Sequence, residues 1–149
     1  MVAARVHKNV WRRAIGGFTL IELMVVVVVI AVLAAIALPS FVSSIRKSRR
    51  ADAITSLNQI AQAQERWRAN NAAYTTVLTN AGLNVANPSS GYYTLAAAGA
   101  SSSGYTATAT AAGSQASDAQ CTTLTLTLAG GNVTYGSTGT ATANQCWNR

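Results

Sequence analysis

The chain has 149 residues, half of them apolar, with eleven Lys and Arg against four Asp and Glu and a formal charge of +7. That length holds one modest domain plus an anchor and excludes a second folded domain with its own core. The charge points towards nucleic acid or a membrane surface, but Arg5, Lys8, Arg12 and Arg13 all precede Gly17, and residues 18–149 carry seven basic and four acidic side chains, a net of only +3.

Residues 1–17 are short, basic and end in Gly16-Gly17, which reads as a leader kept out of fold reasoning. From Leu23 to Leu38 runs LMVVVVVIAVLAAIAL, and counting from Phe18 the apolar stretch has 21 residues. As a helix it is about 31 Å long, a match to a bilayer core. Its valines disfavour a helix in water, but in lipid the backbone has no other hydrogen-bond partner. Residues 18–39 are therefore expected to form a transmembrane helix. Pro39 lacks an N–H and crowds the preceding turn, so a kink or local opening is expected there.

Residues 40–71 resume a helical pattern of amphipathic character. Ile54, Leu57, Ile60, Ala61 and Trp67 recur at steps of three and four, with polar residues between them, and the helix is expected to end near Asn70-Asn71. Arg46, Lys47, Arg49 and Arg50 form a basic cluster. It suits lipid head groups before assembly and acidic neighbours or nucleic acid afterwards, or it is a solvated face with Asp52 as local partner.

From Ala72 the composition shifts to Ala, Thr, Ser and Gly, with no Lys or Arg before Arg149 and Asp118 as the only acid. Four strands are expected: Tyr92 to Ala98, Tyr105 to Ala111, Cys121 to Leu128 and Asn132 to Tyr135. In the third, Leu124, Leu126 and Leu128 fall on one face and Thr123, Thr125 and Thr127 on the other. Gly130-Gly131 reads as a hairpin turn. An antiparallel sheet covering the amphipathic helix makes residues 40–149 an α+β head. The competing reading of residues 72–149 is a disordered Ser/Thr-rich stalk. Cys121 and Cys146, an even pair in an exported segment, suggest one disulfide, worth about 3 kcal/mol by loop closure. Trp67 belongs to the core, whereas Trp147 either covers the disulfide or stands exposed.

The junction is the most specific feature. An ordinary signal peptide is cut on the far side of its apolar run, whereas Gly16-Gly17 lie on the near, basic side. Ala35-Ile36-Ala37 offers a conventional cut that would release a soluble protein starting at Leu38, but it leaves Glu22 unexplained. A carboxylate beside an apolar run costs roughly 2.5–3.5 kcal/mol when central in a membrane, so such a residue usually marks function. Cleavage after Gly17 creates an amine on Phe18, four residues from Glu22, and opposite charges attract strongly in a low-dielectric setting. The alternative is that Glu22 simply sits at the membrane interface.

Gly17 followed by FTLIELMVVVVVIAVLAAIALPS resembles the N-terminus of type IV pilins of the type IVa kind. The tail, with CTTLTLTLAGG and Cys146-Trp147, is similar to the small PilE-like and minor pilin branch. The resemblance implies a prepilin cut after Gly17 by prepilin peptidase, methylation of the Phe18 amine, and docking through Glu22 with that amine in its own or a neighbouring subunit. It implies a long helix packed on a small antiparallel sheet, residence in the inner membrane of a Gram-negative cell, and then an extracellular pilus. Its partners are other pilin subunits, the pilus assembly platform and membrane lipid, and its service is adhesion, twitching motility or DNA uptake. Many relatives carry glycine eight residues before the proline; here Ala31 stands there, and a helix is about 1 kcal/mol harder to melt with alanine.

No catalytic, cofactor or metal site is expected. His7 is the only histidine and lies in the leader, and no HExxH, GxSxG or phosphate-cradling loop occurs. Two readings compete with a pilus subunit: a type II secretion pseudopilin, which shares the whole N-terminal argument but is disfavoured by the cysteine pair and the lack of an acidic calcium cluster, and a DNA-binding uptake pilin, disfavoured by the uncharged C-terminal half.

Overall fold

The computed structural model describes residues 17–149; the leader up to Gly16, with its basic residues and His7, lies outside the described residues. Helix α1 spans Leu20–Arg68, close to the expected end, and continues through Pro39. The chain divides into two units, one ending at Pro39 and one formed by Ser40–Arg149.

In the first unit an 18-residue window of α1 reaches a mean hydropathy of 3.1, and none of it is buried. Phe18, Leu20, Ile21 and the valines that follow are all exposed. An all-round apolar helix without covering side chains needs lipid or neighbouring protein around it.

The second unit is an α+β head. Strands β1 (Tyr93–Ala98), β2 (Gly104–Ala111), β3 (Thr123–Ala129) and β4 (Asn132–Thr138) form an antiparallel meander in sequence order. The 3₁₀ turn Gly113–Ser117 links β2 to β3, and the short α2 (Ala143–Cys146) follows β4. Gly130 and Gly131 have φ of 56° and 83°, the pair of left-handed residues that a two-residue hairpin turn requires. Residues 72–149 thus fold, against the stalk reading. The observed β4 extends three residues past the expected Tyr135, because Gly136, Ser137 and Thr138 complete the register against Thr125, Leu124 and Thr123.

The core joins Ala53, Leu57, Ile60 and Ala63 of α1 to Tyr93, Tyr105, Ala107, Ala109, Leu124, Leu126 and Leu128 of the sheet. The helix stripe is turned slightly from the expected one: Ala53 and Ala63 are at its centre, while Ile54, Ala61 and Trp67 pack at its margin, half buried. Alanines let helix and sheet approach closely, which a pattern built on bulky residues does not weigh. Ala107 and Ala109 lie opposite Leu126 and Leu124, so small and large side chains alternate across the sheet. The threonines form the other face, where Thr106 and Thr127 hydroxyls meet at 3.1 Å.

Two polar side chains of α1 tie the loop after the helix to it. Gln64, fully buried, donates to the Thr75 carbonyl at 2.6 Å and accepts from the Thr75 N–H at 3.1 Å. Trp67 Nε1 donates to the Ala73 carbonyl at 3.2 Å. Burial leaves these groups no water, so each such bond satisfies a group that is costly to leave alone.

Candidate functional site

At the junction, Gly17 and Phe18 precede the helix and are exposed. The N–H of Leu23 reaches the Thr19 carbonyl at 3.2 Å, making Thr19 the residue that caps α1. The Thr19 hydroxyl accepts from the Glu22 N–H at 3.2 Å and donates to Glu22 Oε2 at 3.5 Å. Glu22 therefore has a local role that the sequence argument overlooked: it is the fourth residue of a Thr-x-x-Glu start signal, and its negative charge lies in the first turn where the helix dipole favours it. The pattern was legible in TLIE. With Gly17 attached, Phe18 carries a peptide N–H and not a free amine.

In the head, the basic cluster at 46–50 is divided by the fold. Arg50 is buried, and its Nε and Nη2 donate to the Asp118 carboxylate at 2.8 and 2.9 Å, a two-pronged pair. Gln115 Nε2 adds a third donor to Asp118 at 3.0 Å. Arg50 thus differs from the expected solvated or ligand-facing residue, and its acid is Asp118 in the β2–β3 connection rather than nearby Asp52. The reason is tertiary: residues 68 apart in sequence meet only when the sheet closes on the helix. Arg46 donates to the Ser117 hydroxyl, and Arg49 donates to the Ser114 hydroxyl and stacks 4.1 Å over the Tyr92 ring. Lys47 remains exposed.

Cys121 and Cys146 form a disulfide with Cα atoms 5.7 Å apart, and both are fully buried. The bond fastens α2 and the chain end to the start of β3. Trp147 is 4% exposed, packs edge-on to Tyr135 at 4.7 Å, and donates Nε1–H to the Gly136 carbonyl at 2.8 Å. The tryptophan is core. Asn148 follows with φ of 54°, a left-handed conformation that asparagine tolerates, and the Arg149 N–H closes back on the Asn144 carbonyl at 2.9 Å. That closure sets the Arg149 guanidinium 3.8 Å from the centre of the Tyr135 ring.

These elements enclose a groove of about 510 Å³ lined by Lys47 and Arg50 of α1, Gln120 before β3, and Ala141, Asn144, Gln145, Asn148 and Arg149 of the C-terminal segment. No carboxylate side chain lines it. Cationic ends and amides together suit phosphate oxygens and base edges. Lys47 and Arg149 stand apart in the sequence, and nothing there links them to the amides. Asn144, Gln145 and Asn148 leave one sequence signal, the amide cluster around Cys146 in ANQCWNR, and Gln120 leaves none. Among the described residues no group of His, Cys, Asp and Glu is arranged to hold a metal ion.

Tyr105, in the core beside the helix, has its phenol pushed up to about 12, first by burial and then by the charge of Glu65. Tyr93 is raised as well, again by burial first, although its hydrogen bond with Gln115 opposes the shift.

A long apolar N-terminal helix whose second half packs on a four-stranded antiparallel sheet is the architecture of a type IV pilin. Residues 12–38 match the prokaryotic N-terminal methylation motif. Residues 39–125, more than half of the chain, match the family described as type IV minor pilin ComP, DNA uptake sequence receptor, and the chain belongs to that family. No curated protein matches the chain. Pilin families are structural, non-enzymatic subunits that are processed from prepilins and assembled with other pilins. The motif and the apolar helix place the chain in the inner membrane before assembly and in an extracellular pilus afterwards.

Proposed function

We propose that this minor pilin, cut after Gly17 and built into the pilus through residues 18–39, captures duplex DNA with the basic groove of its head. The observation that carries the reading is the meeting of Lys47 and Arg149 with four amide side chains in one groove, on a chain whose family is described as a DNA uptake sequence receptor. Lys47 and Arg149 supply the phosphate contacts, to which Arg46 and Arg49 add positive potential from the same helix. Arg50 keeps its pair with Asp118 and shapes the wall.

The test is a titration of duplex DNA with the full chain in detergent across a salt series. Binding is expected to weaken linearly in log–log form, with a slope of about −0.9 for each phosphate contacted. Absence of binding at low salt overturns the reading.

Assembly is proposed to depend on Glu22. Cleavage frees the Phe18 amine, and the Glu22 carboxylate, already held at the helix start, pairs with that amine in its own or a neighbouring subunit. Glu22→Ala is expected to leave processing intact and to reduce incorporation into sheared filaments. Normal incorporation of this variant excludes the pairing.

A further inference from the structure

Two glutamines in the groove have their acceptor atoms already occupied. Gln120 Oε1 lies 3.1 Å from Arg50 Nη2, and a guanidinium can only donate, so the amide oxygen must face Arg50. Gln145 Oε1 accepts from the Thr142 N–H at 3.1 Å and from its hydroxyl at 3.2 Å. A backbone N–H likewise admits only an oxygen. Both side chains are exposed, line the groove and have their NH₂ groups without a partner among the described residues. Cys121 follows Gln120 and Cys146 follows Gln145, so the disulfide ties the two backbones together. Lys47 and Arg149 are donors by nature, and the amides of Asn144 and Asn148 can turn either end outward. The groove thus holds four committed donors, Lys47, Arg149, Gln120 and Gln145.

We infer that this groove determines base specificity by reading guanine, with Gln120 and Gln145 donating to O6 and N7 in the major groove while Lys47 and Arg149 hold flanking phosphates. The inference rests on the DNA-binding reading above. Guanine presents two acceptors on its major-groove edge, whereas adenine presents one acceptor beside a donor and cytosine presents a donor. Fixed donors meet guanine without conflict, oppose the amino groups of adenine and cytosine, and find only one acceptor, O4, on thymine. Had either glutamine been free to flip, it could have paired with adenine equally well.

The experiment uses the full chain in detergent and four short duplexes of one length: one G·C-rich, its A·T-rich counterpart, the first with 7-deazaguanine, which lacks the N7 acceptor, and the first with inosine, which keeps O6 and N7. The A·T-rich and 7-deazaguanine duplexes are expected to bind about tenfold more weakly, and the inosine duplex to bind like guanine. Gln120→Glu and Gln145→Glu keep the oxygens that face Arg50 and Thr142 but replace the donor with a carboxylate oxygen. Each is expected to weaken the G·C-rich complex at least tenfold and to abolish the preference, with cooperative thermal unfolding retained. Lys47→Ala is expected to weaken all four duplexes equally and to lower the salt slope by about one. Equal binding of all four duplexes, or an unchanged preference in both glutamate variants, overturns the guanine assignment and leaves DNA capture standing. No binding to any duplex overturns both.

Discussion

The two halves of α1 are stabilised by different surroundings. Up to Pro39 the helix buries nothing within its own chain, and its apolar side chains stay exposed around the whole circumference. After Pro39 the same helix hides Ala53, Leu57, Ile60 and Ala63 against a sheet and holds Arg50 and Gln64 in buried hydrogen bonds. One half gets its stability from lipid or neighbouring subunits, the other from its own domain. The contrast teaches that damage to the first half should appear in assembly, and damage to the second in folding.

The sharpest way to test this contrast is Asp118→Ala, which strands the buried Arg50 charge. A loss of about 3–5 kcal/mol of head stability is expected, read by denaturant unfolding of the full chain in detergent. Replacing Arg50 and Asp118 together by apolar residues should cost far less, because no uncompensated charge remains. Next comes the Cys121→Ser, Cys146→Ser pair, expected to lose about 3 kcal/mol in the same assay. Thr142→Ala removes the side-chain oxygen that accepts from the Gln145 N–H and should cost about 1 kcal/mol.

A further effect appears only at alkaline pH. A phenol raised from 10.0 to about 12 in the fold favours the native state fully below pH 10 and loses that contribution as pH climbs from 10 towards about 12. Tyr105→Phe should therefore flatten the fall in melting temperature between pH 9 and 11.5, with Tyr93 still contributing its own share. Glu22→Ala anchors the other end of the comparison: no change in head unfolding, but a defect in filaments. If that variant unfolded the head, the division between the halves would collapse.

Much of this architecture was legible in the residues. Uninterrupted hydropathy from Leu23 to Leu38 specifies a lipid-compatible helix because the signal is local and long. The Thr/Leu alternation of β3 specifies a two-faced strand for the same reason, and the Gly130-Gly131 pair specifies its turn. The precise burial stripe of α1 was less legible, since Ala53 and Ala63 carry little hydropathy and matter only once a sheet approaches them. Arg50 could not be separated from Arg46, Lys47 and Arg49 by any local pattern. Its partner is 68 positions away.

The sequence by itself determined the anchor, the α+β head and the single disulfide pair, because each follows from periodicity, spacing or count. Only the tertiary structure decided what the charges do. A C-terminal half with one base at its end looked unfit for DNA, yet the disulfide and the turn at Asn148 bring Arg149 to Lys47, and the bonds from Arg50 and Thr142 fix how Gln120 and Gln145 face the groove. Charge is a property of composition, but a binding surface depends on which side chains remain uncommitted after the core has formed.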